Sequence, residues 1–168
     1  MHSEWGLANR NPPMKPAIPF LLALLLAPAT AVAAPAPIEA RLEATGYSFE
    51  VDGDGDFVTV IGWSDDDRSQ VVYVAGHTNP FGGTEVREVF SPVMRVPEGG
   101  LDRTVANRLL RDSQERVMGS WEVTGDMLLY VVKLPEDMGV EALQSALNAA
   151  AVLADNMENE LTGGRDDF

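Results

Sequence analysis

Apolar and polar positions along the chain follow two different periods, and the switches between them mark its elements. Tyr47, Phe49 and Val51 alternate with Ser48 and Glu50, the period of two expected of a strand with one face buried. Asp52-Gly53-Asp54-Gly55-Asp56 interrupts that run, and Phe57 to Trp63 resumes extended, β-branched character, which predicts a hairpin. After a polar turn over Ser64 to Ser69, Val71-Val72-Tyr73-Val74 adds the third strand of a meander. Gly76 to Gly83 reads as a loop, and Thr84 to Val96 as a further strand. Its Pro92 requires an edge position or a bulge, because proline has no amide hydrogen to give to a ladder.

Three segments change to the helical period. Ile38 and Leu42, with Pro37 in the opening turn and a stop at Gly46, predict a short first helix. Asp102 is a good N-cap for a second, whose apolar face is Val105, Ala106, Leu109 and Leu110 and which Gly119 ends. Trp121 and Val123 then alternate, Thr124-Gly125-Asp126 turns, and Met127 to Leu134 forms the most hydrophobic extended segment after the leader, a second hairpin. Leu143, Leu147, Ala150, Ala154, Met157 and Leu161 recur at steps of four and three along a last, Ala-rich helix closed by Gly163-Gly164. That stripe is read as core in preference to a dimer seam. The tail, residues 165–168, is expected to fray. The fold class is therefore α+β, an antiparallel sheet of about five strands backed by helices in the order α-β-β-β-α-β-β-α, within one domain spanning residues 34–164.

Ahead of that domain, Ile18 to Ala27 is a Leu-rich stretch preceded by Lys15 and followed by Pro28, the layout of a secretory signal peptide over residues 1–33. Ala31-Val32-Ala33 offers the small residues a signal peptidase fits, so cleavage is expected after Ala33, and Met14 is an alternative start. A spanning helix needs about 20 apolar residues, and this run is shorter and broken by Pro19 and Pro28, so no stable membrane anchor is expected after cleavage. These readings place the mature protein in the periplasm.

Charge narrows the partners. The chain carries −14, and removing residues 1–33 takes away one acid and two bases, leaving −15. Such a charge opposes phosphate backbones and anionic lipid, so nucleic acid is not an expected partner. With no cysteine in the chain, a lipid-modified bacterial N-terminus, a disulfide framework and thiol chemistry are excluded.

Candidate chemistry is sparse. Asp52, Asp54 and Asp56 have the spacing that opens a calcium loop, but the sixth position, which needs glycine, holds Phe57, and the twelfth, which needs a bidentate glutamate, holds Trp63. A solvated glycine-rich hairpin tip is the preferred reading, and a weak calcium-responsive domain the alternative. His77, the only histidine outside residues 1–33, has Thr78 and Asn79 beside it but no nucleophile motif, and is expected to be an exposed loop residue. A small hydrolase using a carboxylate pair is a further alternative, since the chain has 26 acids, yet no catalytic residue, metal ligand or cofactor is assigned. Trp63 and Trp121 lie on strands or at their ends; core packing is the default, and a concave apolar surface for a peptide is the functional reading.

Asn107, Gly119-Ser120-Trp121, Gly125-Asp126-Met127-Leu128, Gly139-Val140-Glu141-Ala142-Leu143 and, near the start, Gly46-Tyr47 together carry a resemblance. Over nearly the whole mature chain the sequence resembles the YbjN-like family of bacterial sensory-transduction-regulator proteins, which shares its fold with the type III secretion chaperones. The resemblance implies a non-enzymatic, chaperone-like module that binds a protein or peptide client, in some members as a homodimer, with no cofactor. It implies for Asn107 a structural hydrogen bond from helix to sheet. Of the two asparagines the family carries on that helix, this chain matches only Asn107, and its leader departs from the cytoplasmic habit of many relatives.

Overall fold

Gly46 stops the first helix as its sequence implies: α1 (Ile38–Thr45) ends on it in the left-handed conformation, φ 83°. The computed structural model describes residues 36–64 and 67–168; the leader with its cleavage point, and Asp65 and Asp66, lie outside the described residues. From α1 the chain runs through β1 (Glu50–Val51), β2 (Phe57–Gly62), β3 (Ser69–Val74), β4 (Asn79–Phe81) and β5 (Thr84–Arg95). It continues through α2 (Arg103–Glu115), β6 (Ser120–Thr124), β7 (Met127–Pro135) and α3 (Val140–Thr162). The fold is α+β, a seven-stranded antiparallel sheet backed by three helices.

The sheet runs β1-β2-β3-β5-β7-β6, with β4 paired to β5 off that path. Cross-strand partners share a face, so the register Phe57↔Val74, Val74↔Val89, Val89↔Val132 carries one buried row across four strands. Onto that face α3 lays Leu143, Leu147, Ala150, Ala154 and Met157, so the predicted stripe is core, and α1 adds Ile38 and Leu42. The opposite face carries the stacked pair Tyr73–Phe90, ring centroids 5.1 Å apart, and Lys133 bonded to Glu122 at 2.9 Å and near Glu88 at 3.5 Å. A mixed polar cover of this kind suits an antiparallel sheet with one face toward water.

Two expectations are corrected, the strand count and the tail, and one, for Pro92, is met. There are seven strands where about five were expected: the further strand read over Thr84 to Val96 is β5, and Gly76 to Gly83, read as loop from its glycines and Pro80, contains β4, with Phe81 opposite Thr84 across Gly82-Gly83. The expectation for Pro92 is met by its second form: it lies on the central strand β5 at a bulge, where the register shifts between Pro92 and Met94. The tail does not fray. Asp167 N–H donates to Glu158 Oε1 (2.7 Å), Val71 N–H to the Phe168 carbonyl (2.8 Å), and Arg68 Nη1 to the Arg165 carbonyl (3.1 Å).

One crossing is tight. A Cβ on Gly76 would lie 2.0 Å from the Gly55 carbonyl oxygen, so only glycine allows the turn after β3 to pass the β1–β2 turn.

Candidate binding groove

The three helices do not tile the sheet evenly. α2 rests on β6 and α3 on β3, β5 and β7. A groove of about 470 Å³ is left between the exit of α2 and α3, floored by Tyr130, Val132 and Leu134 of β7. One wall is α3, where the small Ala142, Ala146 and Ala149 stand one and two turns apart, with Ser145 and Leu153 beside them. The other wall is Arg116, Val117 and Met118. Its polar groups are few, and Val117 is 98% exposed, an apolar side chain held at a rim with nothing over it.

That rim is fixed from below. Tyr130 Oη donates to the Met118 carbonyl at 2.7 Å, and burial pushes the phenol up, so it stays a neutral donor. Gly119 follows at φ 87°, where a Cβ would meet Tyr130 Oη and the Val131 carbonyl at 2.8 Å each. Only glycine fits, and the pair Val117-Met118 is thereby pinned in a turn over β7.

Trp121 belongs to the foundation of this wall. It is 9% exposed, meets Tyr130 edge-to-face at 4.8 Å, and its indole N–H donates to Asp112 Oδ2 at 2.7 Å. The Arg116 guanidinium, and after it the indole, hold the Asp112 carboxyl below the usual carboxylate range. Ser113 Oγ accepts from the Trp121 main-chain N–H at 3.0 Å. Trp63 is half-buried at the far end of β2, with β3, β5 and β7 between it and β6. The two tryptophans do not form one surface.

The helix-to-sheet bonds that the resemblance gave to Asn107 are made by Asp112 and Ser113 instead. Asn107 is exposed on the outer side of α2 beside Arg103, Arg108 and Arg111, and among the described residues its side chain has no hydrogen-bond partner. No local sequence signal separates it from Asp112; only the distance of each helix face from β6 does.

The other candidates are consumed locally. Asp52 Oδ1 accepts from the amides of Asp54 and Asp56, both at 2.9 Å, and Asp56 Oδ1 from that of Gly76 at 2.9 Å, so these carboxylates organise turns and do not converge on a common centre. His77 is exposed. Among the described residues, the one trio of carboxylates whose oxygens come within 4.8 Å of one another is Asp155, Glu158 and Asp166. The Arg68 guanidinium lies against all three, at 2.7, 3.4 and 3.9 Å. No helix among the described residues is long and apolar enough to cross a membrane. In comparisons with known proteins, neither a protein-family model nor a curated sequence matches this chain.

Proposed function

We propose that this chain is a non-enzymatic, exported protein-binding module of the YbjN-like kind, which takes an apolar stretch of an unfolded envelope polypeptide into the groove between α2 and α3. The observation that carries this reading is the apolar groove with Val117 and Met118 pinned at its rim by Tyr130 and Gly119. A fixed rim limits the ordering cost of binding. The net charge of −15 on residues 34–168 favours clients whose apolar stretch has basic flanks and keeps copies of the module apart.

The test uses the mature chain, residues 34–168, and a labelled apolar peptide flanked by lysines, read by fluorescence anisotropy. Val117→Asp and Met118→Asp change exposed side chains and should leave the melting temperature unchanged. Each replaces a buried apolar contact worth about 1.5–3 kcal/mol in the complex, so affinity should fall at least tenfold. Unchanged affinity in both variants would remove the groove as the binding surface. Export is checked separately: Edman sequencing of the envelope-fraction protein should begin at Ala34, and an uncut chain confined to the cytosol would contradict this part of the proposal.

A further inference from the structure

A second surface, sharing no residue with the groove, follows from the proline in β5. β3 and β5 pair at Tyr73↔Phe90 and Val74↔Val89, and Ala75 N–H donates to the Glu88 carbonyl at 2.9 Å. Continuing that register puts Val71 opposite Pro92, in a pair where each residue should give an N–H to the other. Pro92 has none to give, and the ladder stops. The groups left over find substitutes. The Val71 carbonyl accepts from Ser91 Oγ at 2.7 Å, and the Pro92 carbonyl from Gln70 Nε2 at 2.7 Å. The Val71 N–H reaches the Phe168 carbonyl at 2.8 Å. Among the described residues, Gln70 Oε1, in the same split, is buried without a partner.

The tail therefore fills part of a gap that β5 vacates, with the Phe168 carbonyl in the place of a ladder partner. It is held through its main chain: the carbonyls of Phe168 and Arg165 by Val71 and Arg68, and the amide of Asp167 by Glu158, which is fully buried. Contacts of this kind read an extended backbone more than a particular side chain, which is the logic of strand addition. Arg68 adds a preference for acidic residues, through Asp166 at 3.9 Å.

We infer that the split between β3 and β5 is a peptide-recognition slot, occupied in cis by Arg165–Phe168, which a second polypeptide enters by replacing the tail. The segment it fits is extended and acidic, has an apolar residue where Phe168 lies, and carries a free N–H where Asp167 lies. Tethering gives the tail an effective concentration on the order of millimolar, so the intact chain is closed to weak competitors and the slot opens to segments that bind better than the tail does.

The probe is a fluorescein-labelled, C-terminally amidated peptide with the sequence of residues 163–168. It should bind a chain ending at Gly164 at least tenfold more tightly than it binds the chain ending at Phe168, and a peptide with proline in place of Asp167 should not bind. A shortened chain that keeps its circular dichroism spectrum but binds the peptide no better than the longer one overturns the inference, as does equal binding of the proline peptide. Amide exchange in the unshortened protein gives an independent reading should the shortened chain not fold. The Val71 amide should exchange at least tenfold faster than that of Tyr73 on the same strand; equal rates would make the tail a fixed part of the sheet and end the proposal.

Discussion

Glu136→Gln should lower the free energy of unfolding at neutral pH by about 3–5 kcal/mol, the usual cost of leaving buried charge uncompensated. Glu136 follows β7 directly and splits its carboxylate between two arginines, Oε1 taking Arg41 Nη2 and Oε2 taking Arg87 Nε, both at 2.6 Å. Arg41 is 4% exposed and Arg87 5%, one on α1 and the other on β5, so a single carboxylate neutralises two cations that have little access to water. A glutamine keeps one acceptor oxygen, turns an NH₂ group toward the second guanidinium, and removes the charge. Carbonyl partners on Met138 and Ala75 preserve geometry but not charge balance.

The same residue sets a pH dependence. Burial pushes Glu136 up, but bonding and attraction to Arg87 and then Arg41 outweigh it, and its carboxyl is held below the usual range. The folded form therefore holds the proton less readily than the unfolded form. Its contribution is complete above the ordinary carboxylate range and is lost as pH falls through the depressed folded value. Urea titrations across the acid range should show a steep loss of stability in the parent and a shallower one in Glu136→Gln. A neutral-pH difference below about 1 kcal/mol would show that water reaches the cluster and compensates the arginines.

Trp121→Ala should cost about 3–5 kcal/mol, the range for emptying a large aromatic site in a core, and lower the melting temperature by more than about 10 °C for a domain of this size. The substitution removes the edge-to-face contact with Tyr130 and the hydrogen bond to Asp112, so α2 loses its seat on β6. Trp121→Phe, which keeps an aromatic ring, should recover about half of the loss, leaving about 1.5–3 kcal/mol for the missing bond to a charged acceptor. This separates Trp121 from Val117 and Met118, whose variants should bind poorly and melt normally. If Trp121→Ala melted within a degree or two of the parent yet failed to bind the apolar peptide, the indole would be a contact residue after all.

Local pattern carried much of this architecture. The α3 stripe, the Asp102 cap, whose Oδ1 accepts from the Thr104 amide at 2.7 Å, and the turn at Gly125 are all written within a few neighbouring residues. Other features depend on partners distant in sequence. Arg41 and Glu136 are separated by 95 positions and Arg68 and Glu158 by 90, and no period links them. Alternation placed Trp121 and Val123 on one face, but only the position of α2 makes the first buried and the second exposed. Leu110, assigned to the apolar face of α2, points outward for the same reason, while Leu109 alone is buried. The groove itself was not legible, because it is a gap between helices and no motif spells a gap.

The lengths of the two outer strands limit how copies of this protein could join. β1 offers two residues and β6 five, so one border of the sheet is too short to template a neighbour and the other is not. Two copies could meet along β6, but neither could then pass the contact on through β1. Among the described residues, lateral growth through the β1 end of the strand path is thereby blocked, a safeguard supplied by where the first strand stops.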